Sequence, residues 1–96
     1  MRTSLVFLVT EICYNWEHLE DGMNGCPDTG CKTASTLEAA KELCIADESC
    51  NGVLQCPYNN CNQYEIRRGP NLTPNVNWNQ LEDVHRLTRY NCNGNF

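Results

Sequence analysis

Eight cysteines in 96 residues, at positions 13, 26, 31, 44, 50, 56, 61 and 92, constrain this chain more than any other feature. An even count at that density reads as a disulfide framework, which persists in an oxidising compartment. The chain is therefore expected to be secreted or displayed outside a cell. At this length it forms one domain with a small core, and cross-links compensate for the apolar surface that it cannot bury. The core candidates are Leu37, Leu43, Ile45, Val53, Leu54, Tyr64, Ile66, Val84, Leu87 and the two tryptophans.

The net charge of −5 argues against nucleic acid as a main partner. The charge is uneven, however. Residues 1–65 hold ten of the acids and three of the bases, while residues 66–96 hold Glu82 and Asp83 against Arg67, Arg68, Arg86 and Arg89. A local basic face on an acidic protein is one consequence, and a solvated surface is the other.

The first residues carry an apolar run, Leu5-Val6-Phe7-Leu8-Val9, behind Arg2. It is shorter than the hydrophobic region of a signal peptide, lacks a small-residue cleavage site after it, and cannot span a membrane. Val, Leu and Phe bounded by threonines are strand formers, so residues 3–12 are expected to form a β-strand, with a leader remnant as the alternative. Residues 14–34 are turn-rich, with Asp21-Gly22, Asn24-Gly25 and the loop Cys26-Pro27-Asp28-Thr29-Gly30-Cys31.

Ser35-Thr36-Leu37-Glu38 has the form of a capping box, with Ser35 as the cap and Glu38 reaching back to it. Leu37, Ala40 and Cys44 recur on one helical face, which predicts a helix over 36–46. Asn51-Gly52 turns the chain into a short strand, Val53-Leu54-Gln55. A second strand, Asn62 to Arg67, sets Gln63, Glu65 and Arg67 opposite Tyr64 and Ile66. Cys56-Pro57-Tyr58-Asn59-Asn60-Cys61 makes the hairpin loop between them. Gly69-Pro70 ends the second strand, Asn71 to Gln80 reads as loop, and Asp83 to Asn91 as a last strand. One helix among short antiparallel strands is an α+β pattern.

Sites for chemistry are sparse. The cysteine spacings of five and six, with prolines inside two of the loops, do not form zinc knuckles, so no metal and no other cofactor is expected. His18 and His85 have acidic neighbours in Glu17, Glu20 and Asp83 but no serine or thiol partner, so they read as surface histidines and the chain as non-catalytic. Asn71-Leu72-Thr73 is an N-glycosylation sequon, followed by Pro74.

The stretch from Ser35 to Gly69 resembles the central part of a PAN/apple domain. The residues that carry the resemblance are Cys44 near the helix end, Cys50 six residues on, the strand entry Asn51-Gly52-Val53, and Cys61-Asn62-Gln63-Tyr64-Glu65 in the returning hairpin. It extends over about 13–92, leaving 1–12 as an N-terminal strand or extension and 93–96 as a tail. The family pattern joins its ends by a disulfide, a role that falls to Cys13 and Cys92. It also places a further cysteine on the helix, where this chain has Ala40. The resemblance thus implies Cys13–Cys92 and Cys44–Cys50. Cys56–Cys61 and Cys26–Cys31 complete the set, although Cys26 or Cys31 could instead cross to Cys56 or Cys61.

The resemblance further implies an extracellular module that binds protein or carbohydrate. Arg67, Arg68, Arg86 and Arg89 are candidate contacts for an acidic glycan or protein, since arginine recognises sulfate or carboxylate in bidentate fashion. Arg86 and Arg89, three apart in a strand, point to opposite faces. A second class is structural: Leu5, Val6, Phe7, Leu8 and Val9 form an uncharged strand that could add to a neighbour's sheet and build a fibre or homo-oligomer. A third class, a secreted toxin or inhibitor, fits the cysteines but not the helix-plus-hairpin motif.

Overall fold

The computed structural model describes residues 11–55, 63–74 and 83–92. They form an α+β domain with one helix on a five-stranded antiparallel sheet. The strands are β1 (Ile12–Leu19), β3 (Thr33–Ala34), β4 (Gly52–Gln55), β5 (Tyr64–Arg67) and β7 (Asp83–Asn91), in the order β1-β7-β4-β5-β3. A separate ribbon pairs β2 (Gly22–Met23) with β6 (Leu72–Thr73). The helix, α1, spans Leu37–Ala46. Among the described residues no helix is long and apolar enough to cross a membrane.

The helix begins one residue later than the capping box implies. Thr36, not Ser35, is the cap: its backbone is extended and its hydroxyl accepts from the Ala39 N–H at 3.1 Å. Glu38 then sits second in the helix rather than third, too early to reach back to the cap. Its charge still lies in the first turn, where it complements the helix dipole. Ala40 and Cys44 are the residues buried against the sheet.

Register decides which strand residues meet the helix. Val53 pairs with Ile66 on one side and His85 on the other, while Trp16 pairs with Leu87. Val53, Ile66, Leu87, Ala40, Cys44 and Cys50 form the main core between sheet and helix. Fully burying Val53 and Ile66 contributes about 1.5–3 kcal/mol each.

The alternate residues Leu54 and Val84 face the other way and are also buried, with Met23 beside them and Leu19 and Leu72 at the margin. The ribbon of β2 and β6 therefore covers the far side of the sheet. Gly52 makes this possible: a Cβ there would lie 2.6 Å from the Met23 sulfur. The ribbon also places Leu72-Thr73 in a strand, whereas the sequence reads 71–80 as loop.

The reading of residues 14–19 as turn-rich differs from the structure too. β1 is Ile12–Leu19, largely inside the stretch that reads as turn-rich, and it pairs with β7 over its whole length. A continuous partner, not the composition of β1, settles the matter. Residues 3–10, including Leu5 to Val9, lie outside the described residues.

Three disulfides fasten the described parts. Cys13–Cys92 ties the ends of β1 and β7, Cys44–Cys50 ties the helix to β4, and Cys26–Cys31 closes its own loop. Cys56 and Cys61 lie outside the described residues. The Cys26–Cys31 loop docks on the helix C-terminus through Asp47. That carboxylate accepts from the Ser49 hydroxyl at 2.6 Å, the Ser49 N–H at 2.9 Å, and the Thr29 hydroxyl and N–H at 2.5 and 3.2 Å. These donors, Ser49 first, hold the Asp47 carboxyl well below the usual carboxylate range.

Candidate recognition surface

Among the described residues the helix packs chiefly against β3, β4 and β5, and β1 lies to the side of it. Every second residue of β1 points to the helix side. Ile12, Tyr14, Trp16 and His18 therefore form a row on an open sheet face. Tyr14 is 41% exposed and Ile12 45%, whereas Trp16 is half-buried against the core. Lys41, one turn before the buried Cys44, holds its ammonium 5.1 Å from the centre of the Trp16 ring. A cation over an aromatic face at an exposed site is worth about 0.5–1 kcal/mol.

His18 and His85 are direct cross-strand partners and their rings stack, with centroids 4.8 Å apart and planes inclined by 18°. The Asp83 carboxylate lies 3.7 Å from His18 Nε2. Burial, then the neighbouring His18 and Lys41, push His85 below the ordinary histidine range, and Asp83 opposes them. These histidines, read from the sequence as surface groups with acidic neighbours, are a stacked pair at the end of the aromatic row. Chemically the face offers flat rings for stacking, one ammonium, and imidazole groups that can donate or accept hydrogen bonds.

The four arginines singled out from the sequence do not gather in one place. Arg86 and Arg67 flank Gly52 on the face opposite the helix. Arg86 donates to Glu17 at 2.5 Å, and Arg67 pairs with Glu65. Arg68 bonds Asp28 at 2.8 Å. Arg89 points to the helix side, where Nη1 donates to the Cys50 carbonyl at 2.8 Å and Nη2 donates to those of Cys44 and Asp47, both at 2.9 Å. It is a cap for a helix whose last turn has no basic residue of its own.

Asn71 is exposed, and its carbonyl accepts from the Asn24 N–H at 3.3 Å, so the sequon stands at the entry to β6. Among the described residues no three or more His, Cys, Asp or Glu side chains come together as a metal-binding group. Sequence reasoning missed the aromatic row. Its signal was the alternation Tyr14-x-Trp16-x-His18, obscured by the turn residues that follow it. Comparison with family models, with curated proteins and with solved structures finds no match to this chain.

Proposed function

We propose that this protein is an extracellular, non-catalytic recognition module of PAN/apple type, binding protein or carbohydrate through the helix-side face of β1 and β7. The observation that carries the reading is the row of exposed Tyr14, half-buried Trp16 and exposed His18 beside Lys41, on a scaffold whose described parts are held by three disulfides. A rigid aromatic strip loses little side-chain entropy on contact and accepts either the apolar face of a sugar ring or an apolar side chain. Disulfides of this number are typical of proteins that work outside the cell. The PAN/apple assignment rests on the helix-to-strand link Cys44–Cys50 together with the end-to-end link Cys13–Cys92.

The arginines have a smaller part here than the sequence assigns them. Arg89 serves the helix terminus, and Arg67, Arg68 and Arg86 are each already paired with an acid, Glu65, Asp28 and Glu17.

The test is binding of the oxidised protein to arrays of oligosaccharides and of secreted protein domains. Tyr14→Ala and Lys41→Ala serve as site variants and Arg68→Ala as a control on another surface. Binding lost in the first two and kept in the third supports the proposal. An intact domain that binds neither class, or binding indifferent to Tyr14 and Lys41, refutes it.

A further inference from the structure

The two edges of the main sheet are unlike. β3 is a two-residue strand packed beside the helix, and so offers little to pair with. β1, at the other edge, has eight residues and an unbroken register with β7. Its amides divide into two sets. The Cys92 N–H donates to the Glu11 carbonyl at 3.2 Å, which fixes the phase of the ladder. By antiparallel alternation Cys13, Asn15, Glu17 and Leu19 spend their backbone groups on β7, while those of Ile12, Tyr14, Trp16 and His18 point away from the sheet. Among the described residues nothing pairs with that outer edge.

Proteins usually guard an exposed edge with lysine, proline, a bulge or an inward charge. β1 has none of the first three, and its one acid, Glu17, is already neutralised across the strand by Arg86. The exposed large apolar side chains among the described residues, Ile12, Tyr14 and Tyr90, are all on β1 and β7.

We infer that the outer edge of β1 pairs with the β1 edge of a second copy of this chain, antiparallel about a two-fold axis. The strand suits itself as a partner. A pairing that keeps both helix-side faces together sets Trp16 opposite Trp16 and Tyr14 opposite His18, or, one step over, Tyr14 opposite Trp16 and Ile12 opposite His18. Cross-strand aromatic pairs of this kind stabilise an antiparallel pairing. In neither register does Glu17 face Glu17; it meets Asn15 or Cys13. The two sheets become one of ten strands whose new outer edges are the short β3 strands, so assembly stops at two. This inference does not depend on the recognition reading, because it uses the edge of β1 rather than its open face.

The experiment is residue-resolved amide exchange of the oxidised, full-length protein, with native mass measured over a range of concentration up to millimolar. Expected is a dimer that forms as concentration rises. In the monomer the β1 amides of Cys13, Asn15, Glu17 and Leu19 are protected and those of Tyr14, Trp16 and His18 are not, and the latter three become protected in the dimer. Tyr14→Lys, at an exposed position, should abolish the dimer while leaving the Asn15 and Glu17 amides protected. Tyr14→Pro, which removes one outward N–H and none that bonds β7, should do the same. Three outcomes overturn the inference: a monomer at every concentration, open-ended oligomers, or Tyr14 and Trp16 amides already protected in the monomer because the chain's own residues cover the edge.

Discussion

Replacing Arg89 with methionine isolates what one side chain contributes to the junction of helix and sheet. The change keeps the aliphatic stem and removes three hydrogen bonds, to the carbonyls of Cys44, Asp47 and Cys50, at 2.8 to 2.9 Å. A hydrogen bond to a charged group is worth about 1.5–3 kcal/mol, and a cation at a partly buried helix C-terminus up to about 2 kcal/mol. The three bonds share one guanidinium and are not additive, and water can reach part of the junction. The expected loss is therefore about 2–4 kcal/mol, a large fraction of the stability of a small domain. Arg86→Met is the control, because its exposed pair with Glu17 should contribute only about 0–1 kcal/mol. Arg89→Lys should fall between, since one ammonium cannot span three diverging carbonyls. The assay is guanidinium unfolding without reductant, comparing midpoints at constant slope. If Arg89→Met is no more costly than Arg86→Met, or Arg89→Lys matches the parent, the guanidinium is not what holds the junction.

Four further outcomes are expected. In the chain-entropy view, removing Cys13–Cys92, which closes 79 residues, should cost about 4–5 kcal/mol, and removing Cys26–Cys31 about 2, measured as unfolding of Cys→Ser pairs. Asp47 has a depressed folded-state pKa, so the stability it confers is present above about pH 3.9 and lost as pH falls below it; Asp47→Asn should flatten that acid limb of the unfolding curve. His85 is also shifted down, so its neutral form favours the fold: stability is full above about pH 6.5 and declines as pH falls through that value, a slope that His85→Phe should remove. Met23→Ala should cost about 2–5 kcal/mol by opening the small core under the ribbon, read from thermal unfolding.

The parts of this fold that could be read from the chain are those where local chemistry and tertiary context agree. Leu37, Ala40 and Cys44 mark the helix face, and the structure ends that helix at Ala46. Asp83 to Asn91 form β7 over the whole expected span. β1 was legible only in part because Cys-Tyr-Asn-Trp-Glu-His has a mixed composition, and pairing to β7 across most of the chain length stabilises it as a strand. The ribbon of β2 and β6 was invisible for a related reason: two-residue strands carry no periodicity, and Met23 becomes core only because Gly52 leaves space for it. Arg89 shows the same limit at the level of one side chain. Its spacing from Arg86 gives opposite faces, but nothing in the sequence says that its face ends at the carbonyls of a helix begun some fifty residues earlier.

The bond between Cys13 and Cys92 has a mechanical side. Tension applied through the segments that enter at Cys13 and leave at Cys92 is carried by a covalent link between two α-carbons 5.5 Å apart. The helix, the inner strands and the aromatic row hang from that link as a closed loop and feel none of the pull. Strung between other segments in a flowing or contracting environment, the domain would neither lengthen nor lose its surface while the bond stays oxidised. Reduction would turn the same domain into a length of extensible chain, held then only by the ladder of β1 on β7.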